Sequence, residues 1–224
     1  MIMFLQDRIS TVDSRSLRQW MLAPFVLITI ALGWKYTWLG FAVPVAMLMG
    51  VAGGFMRGRY VCGNLCPRGS FFDRLIAPLA AKREIPAMLR SLPLRWGIFV
   101  LLMGFMVWRL AANPADIRHW GHVFWLMCAI TTVVGVVLAL TFHPRSWCAV
   151  CPVGTLSNAI GGDRYQLTID SDCRECGKCE QSCTFGLSIV RHKGAGVLHE
   201  RDCLKCSVCA MSCPKGSLKW PEAA

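Results

Sequence analysis

The stretch from Cys173 to Cys213 constrains this chain more than any other. It carries Cys173, Cys176, Cys179 and Cys183, then Cys203, Cys206, Cys209 and Cys213, so that each run reads C-x2-C-x2-C-x3-C. Three thiolates two residues apart on a curling loop can each face a different iron of a cube, and a fourth arriving from elsewhere closes the cage. This is the spacing of [4Fe–4S] ligation, in which the fourth cysteine of one run crosses to the other cluster. Cluster I is therefore expected on Cys173, Cys176, Cys179 and Cys213, and cluster II on Cys203, Cys206, Cys209 and Cys183. A zinc ribbon would separate its pairs by a longer gap, and a disulfide framework would not space eight cysteines so regularly. Pro214 follows Cys213, whereas Thr184 stands at the corresponding position of the first run.

The rest of the chain is too apolar for an ordinary soluble protein. Of 224 residues 54 % are hydrophobic, which points to a membrane part plus a small domain. A net charge of +11 raises the question of nucleic acid, but the basic residues flank apolar runs, which is a topology signal and argues for no nucleic-acid partner. Dense C-x2-C spacing favours metal ligation in a reducing compartment over disulfides. Residues 1–20 lack a small-residue cleavage site after a short apolar core, so no cleaved signal is expected.

Taken in order, residues 1–19 place Ile2, Phe4, Leu5 and Ile9 on one face of either a short interfacial helix or a frayed tail. Apolar runs over 20–34 and 39–55 read as two membrane helices joined near Lys35–Trp38, with Trp34, Tyr36 and Trp38 as an interfacial belt. An arginine-rich segment, 57–95, is broken by Pro78, Pro86 and Pro93. A third span is expected over 94–112, with Arg95 and Arg109 snorkelling at its ends, and a fourth over 121–142, which contains no Asp, Glu, Lys or Arg. Lys and Arg number three in the N-terminal tail, eight in 57–95 and ten after the fourth span, against one and two in the remaining turns. Both termini are therefore expected in the cytoplasm.

These runs predict a mainly α membrane protein of four transmembrane helices (1–160) followed by a C-terminal α+β, two-[4Fe–4S] ferredoxin-like domain (161–224), divided near Gly161-Gly162. Within that domain 165–169 reads as a strand. The segments 189–191 and 197–198, with Gly194 and Gly196 between them, read as a hairpin. So small a domain has little core, and the clusters are expected to supply much of its folding energy.

The membrane half contains an internal echo. Cys62-Gly-Asn-Leu-Cys66-Pro67-Arg68-Gly69-Ser70 follows the second span, and Cys148-Ala-Val-Cys151-Pro152-Val153-Gly154-Thr155 follows the fourth. Each motif follows an even number of spans, which puts both at one membrane surface, as in a parallel two-helix repeat. Cys62, Cys66, Cys148 and Cys151 admit three readings: a third iron–sulfur cluster, redox dithiols, or turns in which Cys-Pro-x-Gly ends a helix.

C-x3-C-P after two spans, C-x2-C-P after four, and two C-x2-C-x2-C-x3-C runs together resemble the NapH/MauN family of membrane-bound ferredoxin-type quinol dehydrogenase components. The resemblance covers nearly the whole chain, and the second membrane motif is one residue shorter than the first. It implies four membrane helices with cytoplasmic termini in a bacterial inner membrane. It also implies electron exchange between the quinone pool and a partner redox protein of the same complex. The chain would then be the quinol dehydrogenase component of an oxidoreductase, with quinol as substrate and membrane lipids around it. Two other readings stand beside it. One is an electron-donating accessory protein that matures or reactivates a partner metalloenzyme; the other is a metal-dependent docking scaffold.

Quinol oxidation needs a proton acceptor near the hydrocarbon boundary. His119, His122 and Asp116 are the candidates, against the simpler reading of interfacial anchoring beside Trp120 and Trp125. Haem b needs histidines deep inside spans, and none lies in an apolar run. His143 either tunes a neighbouring cluster or caps a helix, and Cys128 reads as a packed apolar residue. Arg57, Arg59, Arg68 and Arg74 are assigned to topology and anionic lipid, with docking of an acidic partner second.

Overall fold

The computed structural model describes residues 2–81 and 83–221, with side chains from residue 14 onward. Helix α1 spans Ile2–Leu32. The interfacial segment and first span expected over 1–34 are thus one continuous helix; the side chains of Ile2, Phe4, Leu5 and Ile9 lie outside the described residues. Nothing between Asp13 and Leu32 stops a helix except Pro24, and the chain turns only at Gly33, whose N–H still bonds to the Thr29 carbonyl at 3.0 Å. Among the described residues, Arg15 and Gln19 of α1 do not face headgroups. Both are buried and reach Asp73, at 3.2 and 2.9 Å.

A 3-10 turn at Thr37–Phe41 runs into α2, Ala42–Arg57. Two short helices follow, α3 (Tyr60–Asn64) and α4 (Pro67–Phe71), then a π turn at Phe72–Ile76 and α5 (Ala87–Arg90). The second hairpin comprises α6 (Leu92–Ala112) and α7 (Ile117–Thr141), and leads to α8 (Ser146–Val150) and α9 (Pro152–Gly161). Local chemistry sets these boundaries. Pro67, Pro93 and Pro152 sit in first turns, where a missing N–H costs nothing, and the Asp116 carboxylate caps α7 by accepting the Arg118 N–H at 2.9 Å.

Among the described residues three helical stretches, Thr37–Arg57, Leu92–Ala112 and Ile117–Thr141, are long and apolar enough to cross a bilayer, as in a multi-pass membrane protein. Their outward faces are apolar, with Leu48, Leu101, Trp108 and Val133 each more than 60 % exposed. The apolar part of α1 runs only from Trp20 to Leu32, about 20 Å at ~1.5 Å per residue, and so falls short of the other three.

The C-terminal domain pairs β1 (Thr168–Ile169) with β2 (Leu218–Lys219), antiparallel, Thr168 opposite Lys219. Helices α10 (Lys178–Gln181) and α11 (Val208–Ser212) each follow a cysteine loop. The strand expected over 165–169 is only two residues long. The expected hairpin is instead a 3-10 turn, Val190–Ala195, with Val197 bridged to Thr168. The Glu180 carboxylate accepts the Val190 N–H at 2.8 Å and draws that segment onto α10, so the paired edges come from the two ends of the domain.

Leu167, Phe185, Leu187, Ile189, Leu198, Leu204 and Leu218 form the domain's core, which is continuous with Phe71, Phe72, Trp147 and Val150 of the membrane half. A buried polar clamp fixes the junction. Asp202 accepts from Arg95 at 2.8 and 2.5 Å, from Arg59 at 2.9 Å and from Asn158 at 2.6 Å. Arg95 therefore does not snorkel: a carboxylate in the second domain offers it a bidentate partner that a lipid surface would have to supply otherwise.

Candidate iron–sulfur site

Each C-terminal cysteine loop is shaped by left-handed residues around its middle cysteine. Glu175 and Gly177 (φ 54° and 71°) flank Cys176, and Lys205 and Ser207 (φ 53° and 64°) flank Cys206. Alternating right- and left-handed residues turn successive N–H groups inward and make a concavity suited to a negative group. Cys179 and Cys209 then fall in the first turns of α10 and α11. Cys173, Cys176, Cys179 and Cys213 border one cavity, and Cys183, Cys203, Cys206 and Cys209 border another. The fourth cysteine of each run thus faces the other loop.

This donor set suits a cluster. Among the described residues no three His, Cys, Asp or Glu side chains converge as a single metal ion would require; the sulfurs instead ring a space, as a four-iron cube demands. Burial pushes the Cys203 thiol up to about 11, with Lys205 only partly opposing it, and raises Cys209 further, so holding both as thiolates takes a metal. Thr184, in the place of a proline, brings its hydroxyl to 3.5 Å from Cys206 Sγ.

The two membrane motifs meet. Cys62, Cys66, Cys148 and Cys151 border a single cavity despite their unequal spacing. The extra residue, Leu65, lies between the end of α3 and Cys66, so that Cys66 and Cys151 both become the N-caps of proline-initiated helices. Two arginines, each three residues before the first cysteine of its motif, cross over. Arg59 Nη2 donates to the Cys148 carbonyl at 2.5 Å, and Arg145 Nη1 donates to the Cys62 carbonyl at 3.2 Å. Both are 1 % exposed. Each guanidinium passes over the glycine three residues after the second cysteine of a motif: a Cβ on Gly69 would lie 2.6 Å from Arg145 Nη1, and one on Gly154 would lie 2.9 Å from Arg59 Nη2. The glycine of C-P-x-G is thus the slot for the other motif's arginine.

Each crossed arginine also holds a carboxylate. Arg145 grips Asp73 at 2.7 and 2.6 Å, as Arg59 holds Asp202. Burial works to raise both carboxyls, but the Arg145 guanidinium beside Asp73, and Arg95 and Arg59 beside Asp202, hold them below the usual carboxylate range. Burial pushes the Cys62 thiol up to about 12, with Arg59 only partly opposing it.

The arginines assigned to topology have partners within the protein, although only Arg59 of the four is buried. Arg59 is in the crossover, Arg74 donates to Gln19 Oε1 at 3.0 Å, and Arg57 lies over the Tyr165 ring. Arg68 donates to both the carbonyl and the sulfur of Cys128, at 3.3 Å each, so Cys128 is a hydrogen-bond acceptor as well as a packed residue. The Arg-x-x-Cys repeat was the available signal for the crossover; nothing local announced Asp202.

His119 shares a 2.9 Å hydrogen bond with the Arg109 carbonyl, His122 lies against Trp125, and Asp116 caps α7. None of the three borders the four-cysteine cavity. His143 Nδ1 accepts the Arg145 N–H at 3.2 Å, and burial and the nearby Arg145 lower its pKa.

Fold and cysteines together define a membrane-associated, ferredoxin-type iron–sulfur protein with an electron-transfer character. Residues 39–86 and 122–164 match a 4Fe-4S binding domain, one membrane motif in each segment, and residues 172–218 match a 4Fe-4S dicluster domain. An uncharacterized protein of Methanocaldococcus jannaschii is 24 % identical over 157 residues, spanning 66 % of this chain and 61 % of that protein. No solved structure matches the chain.

Proposed function

We propose that this protein is a membrane electron-transfer subunit of the NapH/MauN type, passing electrons from the quinol pool to a partner redox protein. In this reading Cys173, Cys176, Cys179 and Cys213 hold an outer [4Fe–4S] cluster, and Cys183, Cys203, Cys206 and Cys209 an inner one. Cys62, Cys66, Cys148 and Cys151 hold a third. The apolar end of α1 is a fourth, shorter membrane segment beside the three spans, and the cysteine-bearing face and both termini are cytoplasmic, where the basic residues are concentrated. The clusters supply one-electron chemistry when bound.

The chain's own residues do the rest. Loops with inward-turned N–H groups stabilise added negative charge. The crossed arginines fix the two membrane motifs in register, and the Asp202 clamp seats the second domain on them. The observation that carries the reading is this continuity: Asp202 precedes Cys203 in sequence and binds Arg59, which in turn holds the Cys148 carbonyl. A third redox centre there would sit directly beneath the inner loop.

Iron and acid-labile sulfide, counted with EPR on anaerobically purified protein, test the reading. About twelve irons at four per cube support three clusters, whereas about eight remove the membrane one. A quinol that fails to bleach the visible absorbance in the presence of the native partner removes quinol as the donor.

A further inference from the structure

The four-cysteine cavity extends away from the sulfurs into the bundle. Its walls come from the apolar part of α1 and from the membrane-length helices α2, α6 and α7, and its lining is overwhelmingly apolar. Four methionines, Met47, Met103, Met106 and Met127, line it. Such unbranched, polarisable side chains adapt to a ligand better than branched aliphatics do.

The polar groups at the sulfur end are under-used. Arg15, Arg59, Arg95 and Arg145 all have a carboxylate partner. Arg68, which lines the cavity, has none among the described residues, and gives its bonds to the Cys128 carbonyl and sulfur. Trp147 also lines the cavity, and its buried Nε1–H has no acceptor among the described residues. An indole N–H and a guanidinium are donors only, so both are matched by a ligand that presents oxygen acceptors. The rest of the cavity asks that this ligand be a hydrocarbon.

We infer that this cavity is the binding site of an isoprenoid quinone, with its ring oxygens at Arg68 and Trp147 beside the four cysteines and its tail among the methionines towards the bilayer. The inference rests on the quinol reading above and gives that substrate a place. A ring oxygen that gains negative charge is favoured by a guanidinium that no carboxylate already neutralises. The site lies away from His119 and His122, which are engaged in contacts of their own.

The test is photolabelling of the full-length protein in nanodiscs with a short-chain azidoquinone, read by peptide mass spectrometry. The expected label falls on the segments containing Arg68 and Trp147, where the azide-bearing ring would lie, and is displaced by decylubiquinone. Arg68→Met should weaken that displacement by roughly tenfold or more, as for loss of a charge-assisted hydrogen bond, and Ala46→Trp should block labelling by filling the cavity. The map of the unaltered protein decides without either variant. Label confined to the segment holding His119 and His122, label displaced by phospholipid but not by quinone, or label spread over the outer apolar faces would each overturn the site. Quinol-driven bleaching without cavity labelling refutes the site and leaves the redox reading standing. Competable cavity labelling without bleaching supports the site and refutes the redox reading.

Discussion

The two C-terminal cysteine loops share a backbone and differ in nearly everything around it. In the outer loop, Glu175 is exposed and paired with Lys193 at 2.9 Å, and Cys176 is exposed. At the matching place in the inner loop, Lys205 is 1 % exposed, and its ammonium has no hydrogen-bond partner among the described residues. Its carbonyl accepts from Asn64 of the first membrane motif at 3.3 Å. The repeat also places Asp172 before one loop and Asp202 before the other; Asp172 is exposed, whereas Asp202 is clamped. A duplicated cradle has thus become one seat facing water and one facing the membrane half. Burial makes added negative charge costly, and a buried cation offsets that cost.

The largest expected break in this comparison is Asp202→Ala. It leaves Arg59 and Arg95 buried without a carboxylate and should cost about 3–5 kcal/mol, read as earlier unfolding and faster proteolysis near residue 162. Asp172→Ala should stay within about 0.5 kcal/mol; equal effects would mean that the clamp is not what distinguishes the loops.

Lys205→Met should lower the potential of the inner centre. Burial lowers the Lys205 pKa, so the shift is at most that of one full charge, on the order of 1–2 kcal/mol or roughly 50–100 mV for one electron at an effective dielectric of about 20. Glu175→Gln should raise the outer centre by well under half of that, because water screens the exposed carboxylate. Redox-poised EPR separates the two, and shifts of equal size would erase the asymmetry.

Acidity should act on the inner seat. Asp202 and Asp73 are held below the ordinary carboxylate value when folded. Their contribution is therefore full above the unfolded pKa of about 4 and is lost as pH falls through the folded value. Stability of the domain junction should be flat from neutrality to about pH 5 and fall below about pH 4, and Asp202→Asn should flatten that fall. The smallest effect is expected from Thr184→Val, which removes the hydroxyl beside Cys206 Sγ. The inner potential should drop by a few tens of mV, the worth of about one hydrogen bond, with the outer centre unchanged.

Cluster ligation is legible in sequence because the geometry of a cube dictates ligand spacing. Long apolar runs gave the later spans to within a few residues: 94–112 was expected and Leu92–Ala112 found, 121–142 expected and Ile117–Thr141 found. Arg59 and Arg95 depart from the surface roles expected of them for a physical reason. Charge counts describe which side of a membrane a segment prefers, but they do not name partners, and the carboxylate that claims Arg59 lies 143 residues away. The hairpin over 189–198 failed similarly, since its glycines mark the end of a 3-10 turn while the strand partner waits at Leu218–Lys219.

The arginine crossover bears on how such a chain can be assembled. Contacts that run from the first half to the second and back again in kind are those of an interface between two copies related by a twofold axis. A lone helical hairpin with its Cys-Pro turn would have an empty glycine slot and an unsupported arginine, and could fill both only by joining a duplicate of itself. A split gene cut between Lys82 and Ser91 should therefore yield two fragments that find each other in the membrane.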